Sequence, residues 1–91
     1  TLDLEGNCLK NVNGLENLTA NTINLSNNPL SDFTSIKKWV YKNKDHSDKA
    51  LFICPPPSDS VSLYNDYQYL MKNKGLININ KTNCNYSHNC H

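Results

Sequence analysis

The chain has 91 residues, 37% of them apolar, a formal net charge of +1 and a mean hydropathy of −0.65, which limits it to one small domain with a narrow core. Lys37, Lys38, Lys42 and Lys44 are followed at once by Asp45 and Asp48, a mixed and solvated pattern rather than the basic stripe with interleaved aromatics of a nucleic-acid binder. No run of about 18 apolar residues is present to span a membrane, and Thr1 opens directly on a strand-like pattern rather than a signal peptide, so the sequence reads as an internal piece of a longer chain, with room for a signal peptide or anchor outside it.

The first element belongs to a repeat. Thr1 to Leu9 has the form x-L-x-L-x-x-N-x-L, and Thr22 to Leu30 has it again as T-I-N-L-S-N-N-P-L, so that Asn7 aligns with Asn28 at a spacing of 21 residues. That spacing falls in the range of leucine-rich repeats. In such a repeat Leu2, Leu4 and Leu9 point inward from a short strand and the turn after it, as do Ile23, Leu25 and Leu30 one coil later. Asn7 and Asn28 are expected to turn inward and satisfy backbone groups of the tight bend. Val12, Leu15 and Leu18 supply the apolar positions of the outer, convex segment.

Beyond Leu30 the pattern changes. Ser31 or Asp32 can cap a helix over residues 33–42, with Phe33, Ile36, Trp39 and Val40 on one face. The single tryptophan is thus expected in the core. A polar loop over 43–49 leads to a third strand, residues 50–54, with Leu51 and Ile53 inward, stopped by Pro55-Pro56-Pro57. Ser58 or Ser60 can start a second helix over 61–73, with Leu63, Tyr67, Leu70 and Met71 as its apolar face and Gly75 as its stop. The expected fold class is α/β: a short leucine-rich-repeat solenoid fragment of two to three parallel strands with a C-terminal helical cap. Its parts are the repeats at 1–54, a capping helix region at 55–79 and a cysteine-containing linker at 80–91. A solenoid needs such a cap to close its core.

Four cysteines, Cys8, Cys54, Cys84 and Cys90, allow three complete pairings. Cys54 with Cys84 is the expected staple, tying the tail to the last strand. Cys90 then opens a following module, a local Cys84–Cys90 pair being the alternative to that staple, and Cys8 stays free or pairs outside this piece. Asn17, Asn24, Asn80 and Asn85 begin N-x-S/T sequons. Asn24 projects from the strand face, where a glycan would obstruct a partner, so Asn17, Asn80 and Asn85 are the expected acceptors. Cys84, His88, Cys90 and His91 do not reproduce the paired spacing of a zinc finger. No phosphate loop, dinucleotide fingerprint or metalloprotease motif occurs, and no histidine is placed to activate a cysteine. The expectation is therefore a protein without cofactor and without catalysis.

Leu2-Asp3-Leu4, Ile23-Asn24-Leu25 leading into Asn28-Pro29-Leu30, Leu51-Phe52-Ile53-Cys54-Pro55, the helical stretch that follows, and Asn83-Cys84 come in an order that spans nearly the whole chain. In this order the sequence resembles the luminal region of the all-trans retinoic acid-induced differentiation factor family, where a short leucine-rich segment precedes an EGF-like module and one membrane span. The resemblance departs at Leu76 to Ile79, where the family pattern has a further cysteine. It implies a glycosylated single-pass membrane protein on the luminal side of lysosomal membranes or on the cell surface, partner of a lysosomal membrane transporter and linked to cell differentiation. A leucine-rich receptor ectodomain that binds an extracellular protein ligand is the alternative. In either case the concave strand face is the expected meeting place, with Asp3, Glu5, Thr22, Asn24, Ser26 and Phe52 as partner-binding candidates and Thr1 beside them.

Overall fold

The computed structural model describes residues 1–82 and Cys84. In chain order it comprises strand β1 (Leu2–Asp3), a 3-10 turn (Leu15–Asn17), β2 (Thr22–Leu25), helix α1 (Thr34–Asn43), β3 (Ala50–Ile53), α2 (Val61–Lys72) and β4 (Asn78–Lys81). The four strands form one parallel sheet in the order β1-β2-β3-β4. Parallel neighbours cannot be joined by a tight turn, so each connection must return along the far side of the sheet. The 3-10 turn and the two helices make those returns.

The sheet has one strand more than the sequence reading allows. Asn80 and Lys81, expected in the linker, complete β4 against Phe52 and Ile53. The register shows why the strand fits. Leu2 pairs with Ile23, 21 residues on; Ile23 pairs with Leu51, 28 on; Leu51 pairs with Ile79, 28 on again. The last two connections are versions of one unit. Lys42-Asn43-Lys44 ends α1, and Lys72-Asn73-Lys74 ends α2. In both, the asparagine Nδ2 donates to the carbonyl four residues back, Asn43 to Trp39 and Asn73 to Tyr69, each at 2.8 Å. That bond adds a side-chain donor to a carbonyl of the last helical turn; the Tyr69 carbonyl also accepts the Asn73 backbone N–H, at 3.1 Å.

Strand alternation sorts the side chains. Ile23, Leu25, Leu51 and Ile53 are fully buried and meet Leu15, Leu30, Phe33, Ile36, Trp39, Val40, Tyr67, Leu70 and Ile77 in one core. Trp39 lies wholly inside it, as the helical spacing requires. Leu2, Leu4, Leu9 and Val12 pack against the core but stay half-buried, since β1 is an edge of the sheet. Where α2 ends, Gly75 has φ +59°, and a Cβ there would run into the Lys44 carbonyl. The same carbonyl accepts the Leu76 N–H at 2.7 Å, so the ends of the two helices are bound backbone to backbone.

The asparagine ladder differs from expectation in one member. Asn28 is buried, and its side chain takes part in five hydrogen bonds. Nδ2 donates to the carbonyls of Leu4, Leu25 and Ser26, and Oδ1 accepts from the N–H groups of Asn7 and Leu9. Asn7 instead faces solvent, its Nδ2 reaching only the Glu5 carbonyl at 3.4 Å. The reason is positional: Asn28 reaches back to the bend before it, whereas among the described residues no strand lies beyond β1 for Asn7 to reach.

Cys54 and Cys84 form the expected disulfide, with Cα atoms 5.2 Å apart. Cys8 is not free, as the sequence reading allowed, but disulfide-bonded.

Candidate functional site

The second face of the sheet carries the residues that strand alternation turns away from the core. Register aligns Asp3, Asn24, Phe52 and Asn80 in one row across all four strands, and Thr22, Ala50 and Asn78 in a second row. With strands about 4.8 Å apart, the first row is roughly 14 Å long. Asp3, Asn78 and Asn80 are exposed, while Thr22, Asn24, Ala50 and Phe52 are half-buried. Phe52 is the only aromatic side chain in either row. It lies between two asparagines, so a ring that a partner could cover is bordered by groups that fix orientation through hydrogen bonds.

The β1 end of the face is acidic and locally ordered. The Glu5 N–H donates to Asp3 Oδ1 at 3.0 Å, and the Ser26 N–H donates to Asn24 Oδ1 at 3.0 Å. The same turn, a side-chain oxygen accepting from the residue two ahead, thus closes β1 and β2 at equivalent positions. Asn24 Nδ2 also donates to Glu5 Oε1 at 3.4 Å, which links the two strand ends. Of the six partner-binding candidates, Asp3, Glu5, Thr22, Asn24 and Phe52 come together on this surface. Ser26 is 5% exposed, and its hydroxyl donates to Asn24 Oδ1 at 2.6 Å, so it braces Asn24 and offers almost no surface of its own. Asn78 and Asn80 extend the face and were not among the candidates. The signal that could have found them is the 28-residue step from Ile23 to Leu51, which repeated once more lands on Ile79.

That extension changes the meaning of one sequon. Asn80 occupies the β4 end of the row beside Phe52, and Lys81-Thr82 follows it. A glycan on Asn80 would occupy part of the face rather than a tail. Asn17 is exposed at the end of the 3-10 turn, away from the strand rows. Asn85 lies outside the described residues, as do three of the four residues considered for zinc, namely His88, Cys90 and His91. Among the described residues no cluster of three metal-ligating side chains occurs, and no helix is long and apolar enough to cross a membrane.

Compared with protein-family models, curated proteins and solved structures, the chain matches none.

Proposed function

We propose that this chain is a stretch of leucine-rich-repeat solenoid that acts as a non-catalytic protein-binding or adaptor surface. The observation that carries this reading is the in-register row Asp3–Asn24–Phe52–Asn80 on the helix-free face of a parallel sheet. Strand spacings of 21, 28 and 28 residues lie within the leucine-rich range, and a buried asparagine that bridges successive bends is what stacked coils of this kind need. The disulfide Cys54–Cys84 fits a secretory-pathway setting. The order of motifs that resembles the all-trans retinoic acid-induced differentiation factor family supplies the partner class: a lysosomal membrane transporter, met on the luminal side.

The test is capture. The secreted chain, immobilised and presented with detergent-solubilised lysosomal membranes, is expected to retain a transporter. Charge reversal at both acidic positions, Asp3→Lys with Glu5→Lys, is expected to lose most of that capture while secretion stays at the wild-type level, because both side chains are exposed. Undiminished capture by the double variant counts against the strand face.

A further inference from the structure

On the helical side of the molecule, a groove of about 480 Å³ runs between α1 and α2. Its floor is apolar, built from Val40 and Leu70, and its lining includes Lys37, Lys38 and Lys44 together with Tyr41 and Tyr69. Tyr41 is 73% exposed and Tyr69 is 58% exposed, the two most exposed aromatic rings among the described residues. No carboxylate lines the groove. The nearest compensation comes from outside it: Asp66 pairs with Lys37 at 2.8 Å, and Glu16 lies 3.7 Å from Lys38. Lys44 has no carboxylate partner among the described residues, and its Nζ sits 4.5 Å from the centre of the Tyr41 ring. Lys37 Nζ lies 5.5 Å from the centre of the Tyr69 ring. Each exposed tyrosine is thus steadied by a cation, and a chain of net charge +1 concentrates three ammonium groups around one apolar trough.

We propose that this groove is a second binding site, separate from the strand face, and that it takes an acidic peptide segment with apolar side chains set between its carboxylates. Charge complementarity selects the acidic character: no acid is part of the lining, Lys44 has no carboxylate beside it among the described residues, and Lys37 and Lys38 are each offset by a single acid from outside the groove. The apolar floor selects a peptide over a sulfated polysaccharide, which has no apolar side chains to lay on Val40 and Leu70. Pre-ordered tyrosines at the rim are the residue type that carries binding energy at protein interfaces. Three lysines without a continuing basic stripe do not make a nucleic-acid track.

The experiment uses the full chain with disulfides intact and a fluorescein-labelled peptide of three Glu-Glu-Leu repeats, read by fluorescence anisotropy. Saturable binding that weakens as salt is raised is expected. Lys38→Gln with Lys44→Gln should weaken it about tenfold, and Tyr41→Ala with Tyr69→Ala by a similar factor. All four side chains lie at the rim of the groove, and far-UV circular dichroism checks that the fold survives. Lys10→Gln, at an exposed lysine outside the groove lining, should leave the affinity close to wild type, which separates this site from a general effect of charge. The proposal is overturned if the matched Gln-Gln-Leu peptide binds equally well, if the lysine variants bind like wild type, or if heparin binds while the acidic peptide does not.

Discussion

Asn28 joins more backbone than any other side chain described. Its amide donates to three carbonyls and its oxygen accepts from two N–H groups, across β1, β2 and the bends that follow them. Asn28→Asp keeps the shape and the acceptor but sets a carboxylate oxygen against the Leu4 and Leu25 carbonyls. Buried polar groups left unpaired cost about 1–3 kcal/mol each. A loss of roughly 3 kcal/mol is expected, read as a lower urea midpoint with unchanged slope. Tyr67 is the converse case. It is buried in the core, and its hydroxyl has no hydrogen-bond partner there. Burial, and secondarily Tyr64, raise its pKa above the ordinary value of 10.0. In the unfolded chain the phenol ionises at its ordinary value, and in the folded chain it ionises later. The associated stability is therefore complete below pH 10 and falls away as pH rises through the folded pKa. Tyr67→Phe should match wild-type stability at neutral pH and resist alkali better, which urea unfolding at a series of pH values would show.

At the scale of elements, the parts legible in the sequence were those with apolar periodicity. Leu2 and Leu4, Ile23 and Leu25, and Leu51 and Ile53 mark β1 to β3, and the Phe33-Ile36-Trp39-Val40 face marks α1. β4 was not legible because Asn78-Ile79-Asn80-Lys81 offers a single apolar residue. As an edge strand it buries little, and only its distance from β3 identifies it. The exposure of Asn7 was hidden for a related reason, since a repeat motif says nothing about which copy lies at the edge. The buried lysine was equally hidden. Lys49, just before β3, is 8% exposed, and its Nζ donates to the carbonyls of Thr19 and Ala20 and to Asn21 Oδ1. It ties the approach to β3 onto the approach to β2, while the Ala50 N–H donates to the Asn21 carbonyl beside it. Lys49→Met preserves the stem and strands those carbonyls. A loss of about 1–3 kcal/mol is expected by thermal or chemical unfolding. A neutral result would mean that water replaces the ammonium without penalty.

For the whole molecule, stability and the strand face are linked through β4. Asn78, Asn80 and Lys81 are exposed, so the strand is held by its pairing with β3, by Ile77 and Ile79 beneath it, and by the Cys54–Cys84 bond just past its end. The Thr82 N–H, which donates to the Ile53 carbonyl at 3.0 Å, lies between the strand and that bond. A cross-link closing a loop of 30 residues contributes roughly 3–4 kcal/mol in the chain-entropy account. Cys84→Ser should therefore destabilise the protein by about that amount, but unevenly. Amide exchange should accelerate first at residues 78–82, while Ile23, Leu25, Leu51 and Ile53, wholly buried at the centre of the sheet, retain protection closer to that of wild type. Binding should divide in the same way. Asp3 and Glu5 sit at the far side of the sheet from β4, so contacts made there should survive loss of the bond, and contacts that need Asn80 beside Phe52 should not. A uniform loss of protection across all four strands would instead show that the sheet opens as one unit, with the disulfide holding the entire strand face rather than one edge of it.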